Sequence, residues 1–415
     1  MPSRQLAEPV TRIPPDLIKG EAPERSIALC LSGGGYRAML FHVGALWRLQ
    51  EIGYLNATDT APRATDLGPL ARVSSVSGGS LTAGLLALRW NECKTADSET
   101  ATRVAAFVKQ IVQPIRTMAH VNIAGYNFLA ALKLFFAVVL PGTVSEYVTR
   151  EYRKYLYGTA KLADIVVTPR FVINATNLQS AALWRFTRAY MWDWRVGKIA
   201  DTALVDLAQA VSASSAFPPV LSPARLRFRI SDYVPGTGGS GAYNLERPPF
   251  TTKPMLTDGG VYDNLGLETA WKNHETVLVS DAGRPLPTEE KVGGNWVTQG
   301  ARSIDIIQSQ VRALRIRDLI SSYQRPHSEP NARRGCYWGV GSNPAHYPAE
   351  QVLPCPIEKT SKLAAVVTDL AKKSDRLQEQ LINWGYAVCD TALRSWVDPE
   401  ICPPKDFPYP ASGVG

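Results

Sequence analysis

The stretch from residue 72 to 83 constrains the fold most, because its sequence, R-V-S-S-V-S-G-G-S-L-T-A, predicts a strand that turns sharply into a helix. The strand, Val73 to Val76, has β-branched residues spaced for a pleat, and the helix, Gly78 to Leu88, is mostly apolar. Ser77 lies at the junction, where such a turn holds its hydroxyl at a strand's carboxyl end beside a helix N-terminus. Ser77 is therefore a candidate nucleophile, and an ordinary Ser/Gly-rich turn is the alternative. Ser75 stands where the usual G-x-S-x-G pattern has its first glycine.

A second turn also connects a strand to a helix. The apolar run 26–31 predicts a strand buried on both faces of a parallel sheet, and a helix is expected over 38–52. Between them, Gly33, Gly34 and Gly35 would let backbone amides converge at a helix N-terminus, which suits an anion. Neither the P-loop pattern nor G-x-G-x-x-G is present. The loop therefore predicts a phosphate or oxyanion site, unless its glycines serve only a tight turn.

A third turn supplies a candidate base for the serine. Met255 to Thr257 predicts a short strand that delivers Asp258, which two glycines follow. A serine hydroxyl needs a group that accepts its proton. A carboxylate with a pKa near 4 is a weak base, but burial beside apolar groups raises its pKa. Asp258 is the best candidate for this role.

Strands that alternate with helices predict a three-layer α/β/α fold, with helices on both faces of a mostly parallel central sheet. Ligands bind at the carboxyl ends of the strands in such sheets, where all three turns are expected to lie. A shared site leaves no domain boundary between about 26 and 264. We therefore expect one catalytic domain over 26–397. A flexible lead-in, 1–25, precedes this domain, and a tail, 398–415, follows it. Within the domain we expect a helical insertion or lid at about 91–165 and a helical C-terminal part at about 300–397. The last two helices are predicted over 360–383 and 388–396.

Composition limits the partners. The net charge is +8 and the isoelectric point is about 9.1, without a compact Lys/Arg cluster, so nucleic acid is not expected but an anionic membrane surface is compatible. Six scattered cysteines without C-x-x-C pairs argue against a zinc site and a disulfide framework. With no apolar signal segment at the N-terminus, the prediction is a cytoplasmic protein. The apolar run 123–140 is short and contains Lys133 near its middle, which argues against a membrane span. A buried helix is the prediction, and an interfacial or lid helix that meets lipid is the alternative.

Taken together, the motifs resemble those of the patatin-like phospholipases. The resemblance rests on S-G-G-G-Y-R-A, S-V-S-G-G-S and D-G-G-V-Y-D-N in this order, and extends to F-V-I-N-A-T-N-L at 171–178 and A-S-S-A-F-P-P at 213–219. It covers about 27–283, while 91–165 and the C-terminal third match only loosely. It implies a patatin-like fold and a phospholipase A or lysophospholipase that cleaves fatty-acyl esters through an acyl-enzyme. It further implies no metal or organic cofactor, and a membrane phospholipid or another acyl-ester lipid as substrate, with peripheral contact to the membrane.

The resemblance also assigns roles to residues. It implies a catalytic dyad of Ser77 and Asp258, with an oxyanion hole in the glycine turn. Arg37, one turn into the following helix, is expected either to hold a phosphate or to pair with a carboxylate on the surface. The oxyanion residues are Gly33, Gly34 and Gly35, and the candidate substrate-binding residues are Tyr36, Arg37 and Gly78.

Two alternatives remain open. The first is a Ser-His-Asp esterase of α/β-hydrolase type, in which Ser77 would be followed in the chain by Asp281 and then by His327 or His346. Both histidines lie in Pro-rich connections, and His42 and His274 are expected to be structural. The second alternative is a catalytically silent lipid-binding protein of the same fold.

Overall fold

A computed structural model describes residues 23–55, 67–93, 99–123, 143–218, 221–329 and 331–415. The predicted lead-in, 1–25, lies outside this part except for its last three residues, and Glu24 already belongs to the first strand. The apolar run 123–140 lies outside it except for Ile123, so the buried helix there remains a prediction.

One sheet of eleven strands forms the centre of the fold. Its order is β11-β10-β1-β2-β3-β4-β5-β6-β8, and β9 pairs with both β3 and β7. The strands are β1 Glu24–Leu31, β2 Leu70–Val76, β3 Arg170–Asn177, β4 Ala182–Phe186, β5 Met191–Asp193, β6 Gly197–Ile199, β7 Ala224–Arg225, β8 Tyr233–Val234, β9 Met255–Asp258, β10 His274–Asp281 and β11 Arg334–Gly339.

Helices cover both faces of the sheet. They are α1 Gly35–Glu51, α2 Gly78–Leu88, α3 Trp90–Cys93, α4 Thr100–Phe107, α5 Gln113–Ala119, α6 Thr143–Tyr152, α7 Leu207–Ser214, α8 Gly260–Asp263, α9 Trp296–Gln324, α10 Ile357–Ala365 and α11 Asp375–Trp396. π-helical turns follow α4 at Val108–Val112 and α6 at Arg153–Tyr157. Within the described part of the chain, no helix is long and apolar enough to cross a bilayer.

The central strands run parallel, as predicted. β11, β10, β1, β2 and β3 are joined by parallel pairs, whereas β4 and the strands beyond it are antiparallel. Along β1, Leu29 and Leu31 pack in the core that contains α1 and α11, and Ala28 and Cys30 pack with Leu319 of α9 on the other face. This alternation follows from the two-residue period of a strand. The predicted three-layer α/β/α fold is confirmed.

The C-terminal helix packs closely against the helix that follows the glycine turn. A Cβ atom on Gly44 of α1 would lie 1.9 Å from the Ile382 carbonyl oxygen, and one on Gly385 of α11 would lie 1.9 Å from the Phe41 carbonyl oxygen. The two glycines therefore let the helix backbones touch. A buried ion pair, Arg48 Nη2 to Asp390 Oδ1 at 2.8 Å, links the same helices.

The C-terminal helix bounds were predicted wrongly. The expected helices over 360–383 and 388–396 are instead α10, which ends at Ala365, and α11, which begins at Asp375. The segment between them reaches the glycine turn, where the Tyr36 amide donates to the Asp369 carbonyl at 2.9 Å. No glycine or proline marks this break, but Ser374 caps α11, since its Oγ accepts a hydrogen bond from the Leu377 amide at 3.4 Å.

Candidate active site

Ser77 occupies a strained turn between β2 and α2. Its φ is 51° and its ψ is −120°, a conformation that costs a non-glycine residue of order 1–3 kcal/mol. The small residues after it permit close approach to the glycine turn. A Cβ atom on Gly78 would lie 2.1 Å from the Gly35 carbonyl oxygen, and one on Gly79 would lie 2.5 Å from the Leu31 carbonyl oxygen. The serine turn and the glycine turn are therefore packed backbone to backbone.

A buried group of hydroxyls supports this turn from behind. The Ser77 amide donates to Ser214 Oγ at 3.0 Å, and that hydroxyl donates to the Asn174 carbonyl at 2.6 Å. Ser80 Oγ lies 2.9 Å from Ser214 Oγ and donates to Ser75 Oγ at 3.0 Å. Ser75, the departure from the G-x-S-x-G pattern, therefore takes part in this hydrogen-bonded group. Sequence reasoning missed Ser214, although it lies in the A-S-S-A-F-P-P segment.

Asp258 reaches the site from a direction that the sequence did not reveal. We expected it at the end of a strand parallel to its neighbours, but β9 runs antiparallel to β3. Val76 pairs with Asn174, and Asp258 pairs with Ala175, the next residue of β3. β4 pairs with one edge of β3, so β2 and β9 share the other edge. β9 begins to pair along that edge at the point where β2 ends, just before Ser77. The ends of β2 and β9 thus meet on one strand.

Burial strongly affects the Asp258 carboxyl group, which is only 1% exposed. Desolvation raises its pKa to about 7, although the Ser77 side chain and the Gly260 amide both favour the ionised form. The Gly260 amide donates to Oδ1 at 2.7 Å, whereas Oδ2 has no hydrogen-bond partner among the described residues. The Ser77 side chain is thus close enough to affect the pKa of Asp258, but it forms no hydrogen bond of normal geometry with Oδ2.

The two glycines after Asp258 are needed for close contacts. A Cβ atom on Gly259 would lie 2.3 Å from the Asn174 carbonyl oxygen, and one on Gly260 would lie 2.6 Å from Asn264 Oδ1. A Cβ atom on Gly33 would also lie 2.3 Å from Asn264 Oδ1, and 3.1 Å from Ser77 Cβ. The Asn264 side chain therefore lies between the glycine turn and the Asp258 turn. Asn264 is the last residue of the D-G-G-V-Y-D-N motif, and the motif alone does not predict this position for its side chain.

Two of the three predicted oxyanion amides have no hydrogen-bond partner in the described part of the protein. Gly34 and Gly35 have φ angles of 146° and 60°, which glycine adopts readily. The Gly33 amide, by contrast, donates to the Asn264 carbonyl at 3.1 Å. An acyl oxygen could thus be bound by the Gly34 and Gly35 amides without breaking that hydrogen bond.

Arg37 was expected to hold a phosphate or to pair with a carboxylate on the surface, and the structure shows neither arrangement. It is fully buried, and its Nε and Nη2 atoms donate to the Ala282 carbonyl at 3.0 and 2.7 Å. Its Nη1 atom donates to the Val366 carbonyl. The prediction of a surface carboxylate partner is wrong, and this geometry does not favour phosphate binding, because the guanidinium already ties the glycine turn to two backbone segments. Burial lowers its pKa to about 10.

Tyr36 and Gly78, the other candidate substrate residues, differ in their surroundings. The Tyr36 ring is fully buried, and its hydroxyl has no hydrogen-bond partner among the residues described. Desolvation raises the pKa of this hydroxyl well above its ordinary value. Gly78 directly follows the serine, beside Gly35. Of the two, Gly78 is the one that adjoins the serine in the chain.

The Ser-His-Asp alternative finds no support in the geometry. Asp281 is buried, accepts a hydrogen bond from the Tyr337 hydroxyl at 2.8 Å, and pairs with Arg312 Nη2 at 2.6 Å. His327 and His346 are both exposed. Neither histidine forms a hydrogen bond or an ion pair with Ser77 or Asp281 among the described residues, and His346 Nε2 instead lies 3.4 Å from Asn343 Nδ2.

The other two histidines expected to be structural are buried. The His42 ring lies between Ser280 Oγ at 2.8 Å and the Ser32 carbonyl at 2.9 Å, and burial lowers its pKa to about 4. His274 Nδ1 lies 2.8 Å from Ser26 Oγ. No group of three or more His, Cys, Asp or Glu side chains in the described ranges is arranged to hold a metal ion.

Comparison with known proteins defines the class. The sequence pattern of the family described as patatin-like phospholipase matches residues 29–271, more than half of the chain. The chain therefore belongs to the patatin-like phospholipase family. This membership supports a hydrolase that acts on lipid acyl esters.

Solved structures also resemble the chain. Human GIVD cytosolic phospholipase A2 is 11% identical over 89% of this chain and 61% of its own, with a TM-score of 0.47. The same human protein in complex with methyl gamma-linolenyl fluorophosphonate is 11% identical over 90% of this chain and 57% of its own, with a TM-score of 0.45. This chain thus spans less than two thirds of the length of those proteins. A comparison with curated proteins finds no match.

Proposed function

We propose that this protein hydrolyses fatty-acyl esters of membrane lipids, as a phospholipase A or lysophospholipase, with Ser77 as nucleophile and Asp258 as general base. The observation that supports the proposal is that the ends of β2 and β9 pair with consecutive residues of β3, Val76 with Asn174 and Asp258 with Ala175, which brings Ser77 beside the aspartate. Ser77 is held in a strained turn, and Asp258 is a buried carboxyl group with a raised pKa and one oxygen that has no hydrogen-bond partner among the described residues.

The first half of the reaction would form an acyl-enzyme. Ser77 Oγ attacks the carbonyl carbon of the ester while its proton passes to Asp258 Oδ2. The amides of Gly34, Gly35 and Gly78 would stabilise the negative charge on the carbonyl oxygen, and each such donor contributes about 3 kcal/mol. The carbon–oxygen bond to the alcohol then breaks, and the proton on Asp258 passes to the departing alcohol, which for a phospholipid is a lysophospholipid.

The second half would regenerate the enzyme. A water molecule attacks the acyl carbon and gives its proton to Asp258, and the bond to Ser77 Oγ breaks. The proton returns to the serine, and the fatty acid leaves. The carboxyl group is suited to both halves, because a base with a pKa of about 7 can take up and release a proton near neutral pH.

Two further points concern where the protein acts in the cell and which residues form its catalytic domain. We place the protein in the cytoplasm, in peripheral contact with a membrane that presents its substrate, which suits a net charge of +8. We also propose one catalytic domain that includes the C-terminal helices. Its support is the close contact of α1 with α11 and the ion pair between Arg48 and Asp390.

Lipid hydrolysis by purified protein tests the function. Wild-type and Ser77→Ala proteins are incubated with vesicles of mixed phospholipids, and the products are identified by mass spectrometry. We expect free fatty acid and lysophospholipid to accumulate with the wild type and not with the variant.

Two results would oppose the proposal. Equal product formation by Ser77→Ala would remove the serine from the mechanism. Binding of wild type to the vesicles without any acyl product would instead support the silent lipid-binding alternative. Ser303→Ala is a matched control, because it removes an exposed serine hydroxyl on α9 and leaves the hydrogen-bonded group behind Ser77 intact.

A further inference from the structure

A large cavity lies at the edge of the sheet, away from the proposed catalytic residues. Its volume is about 980 Å³, and its walls are formed by β11, the C-terminal half of α9, the turn over 341–347 and the end of α11. Neither Ser77 nor Asp258 is among the described residues that line it. Pockets that bind small organic molecules measure roughly 300–1,000 Å³, so this one is large enough for a sizeable ligand.

Arg333 gives this cavity an unusual charge. The residue is only 5% exposed, and its guanidinium donates to the Trp271 and Ala332 carbonyls at 2.7 Å each. It forms no ion pair with any described carboxylate, and burial alone lowers its pKa. Buried charges in proteins are normally paired, because desolvation is costly. The Arg333 guanidinium also lies over the Trp271 ring, 5.5 Å from its centre, but this cation–π contact brings no negative charge. An anion in the cavity would supply that charge.

The rest of the lining agrees with an anionic ligand. Two other arginines in the walls are already paired, Arg312 with Asp281 and Arg334 with Glu275. No aspartate or glutamate is found among the described lining residues. His327 adds a side chain that is exposed and can donate a hydrogen bond.

Apolar and aromatic side chains complete the walls. Ile320, Tyr323 and Tyr347 line the cavity, and Trp396 lies at its rim with 57% of its surface exposed. The Tyr323 hydroxyl is bound to the Val277 carbonyl at 2.7 Å, so its ring rather than its hydroxyl is available to a ligand. Such walls suit a ligand with an apolar body.

We propose that this cavity binds an organic anion with an apolar body, and that Arg333 receives its carboxylate or phosphate group. The apolar portion lies along the aromatic walls toward Trp396. This proposal does not rest on the proposed hydrolase function, because the cavity and the proposed catalytic residues are separate.

Binding of defined amphiphiles to the full chain tests the proposal. The Ser77→Ala protein is titrated calorimetrically with oleate, oleyl phosphate and oleyl alcohol below their aggregation concentrations. We expect at least one of the two anions to bind saturably. The affinity for the neutral alcohol should be lower by about tenfold or more, because the alcohol cannot form the charge-assisted hydrogen bond. Binding of only one anion identifies the carboxylate or the phosphate as the group that the site accepts.

Variants locate the site. Arg333→Gln is expected to weaken anion binding by about tenfold or more, whereas Arg229→Gln, an exposed arginine paired with Asp232, leaves it unchanged. If Arg333→Gln does not fold, Trp396→Ala and His327→Ala test the same site from exposed positions, and both are expected to weaken binding. Unchanged affinity in folded Arg333→Gln, or in both rim variants, would overturn the proposal. So would equal affinity for the alcohol, or no binding of either anion.

Discussion

Ser77 and Asp258 approach each other from opposite directions along one edge of β3. The residue before the serine pairs with Asn174, and the aspartate pairs with Ala175. The short strand β9, antiparallel to β3, therefore brings the Asp258 side chain to the C-terminal end of β2, which is parallel to β3. The hydrogen bonds of β3 fix this position, so the two side chains meet without depending on a flexible loop.

The first prediction concerns the pH dependence of activity. In the proposed mechanism Asp258 accepts the serine proton only when it is ionised, and burial raises its pKa to about 7. We expect kcat/KM for a soluble acyl ester to rise as the pH increases through about 7 and to level off above it. Initial rates measured from pH 5 to 9 check this. A profile already flat from pH 5 would show that no group with this pKa acts as the base.

The second prediction concerns stability. The pKa of Asp258 is raised above its ordinary value of 3.8, so the folded protein holds a proton that the unfolded chain has lost between these pH values. Between about pH 4 and pH 7 the unfolded chain gains stability by ionising Asp258, while the folded protein keeps it protonated. The free energy of unfolding therefore falls progressively over this pH range. Asp258→Asn carries no such charge. We expect the variant to be more stable than wild type at pH 8, by about 1–4 kcal/mol, with the difference vanishing near pH 4. Denaturant unfolding at both pH values measures it, and a difference independent of pH would contradict the account.

The third prediction separates backbone strain from chemistry at Ser77. Its φ of 51° is unfavourable for alanine and serine but not for glycine. Both Ser77→Ala and Ser77→Gly are expected to be inactive, but the glycine variant should be more stable than the alanine variant by about 1–2 kcal/mol. Thermal and denaturant unfolding of the two variants compare them directly. Equal stability would show that the turn holds no strain.

The fourth prediction concerns Arg37. Its replacement by alanine leaves the Ala282 and Val366 carbonyls without their buried donor, which should lower the free energy of unfolding by about 3 kcal/mol. Because we assign the guanidinium to scaffolding, kcat/KM should fall by the same factor for a phospholipid and for a neutral acyl ester. A loss confined to the KM of the phospholipid would instead indicate a phosphate-binding role.

Much of the site could be predicted from local sequence, because each turn has its own signature. The strand-turn-helix pattern around Ser77 and the glycines at 33–35 depend on neighbouring residues only. The direction of β9 could not be predicted, because the alternation of side chains along a four-residue strand is the same in parallel and antiparallel pairs.

Tertiary contacts account for the other differences. The carbonyls that receive Arg37 come from Ala282 and Val366, distant in sequence, so no local pattern shows that this arginine is buried. The segment between α10 and α11 likewise has a distant partner, because the Asp369 carbonyl accepts from the Tyr36 amide, and the only local signal at this break is the N-cap at Ser374. The role of Ser214 behind the serine turn also depends on a partner far along the chain.

Covalent labelling of the serine tests the central assignment most directly. Wild-type protein, Ser77→Ala, Asp258→Asn, His327→Ala and His346→Ala are treated with a fluorophosphonate at pH 8, and the modified peptide is mapped by mass spectrometry. We predict that the label attaches to Ser77 in wild type and in both histidine variants at similar rates. It should be absent from Ser77→Ala, and at least about 100-fold slower in Asp258→Asn, since a general base contributes this much or more. A label on another residue, a wild-type rate in Asp258→Asn, or loss of labelling in a folded histidine variant would contradict the Ser77–Asp258 dyad.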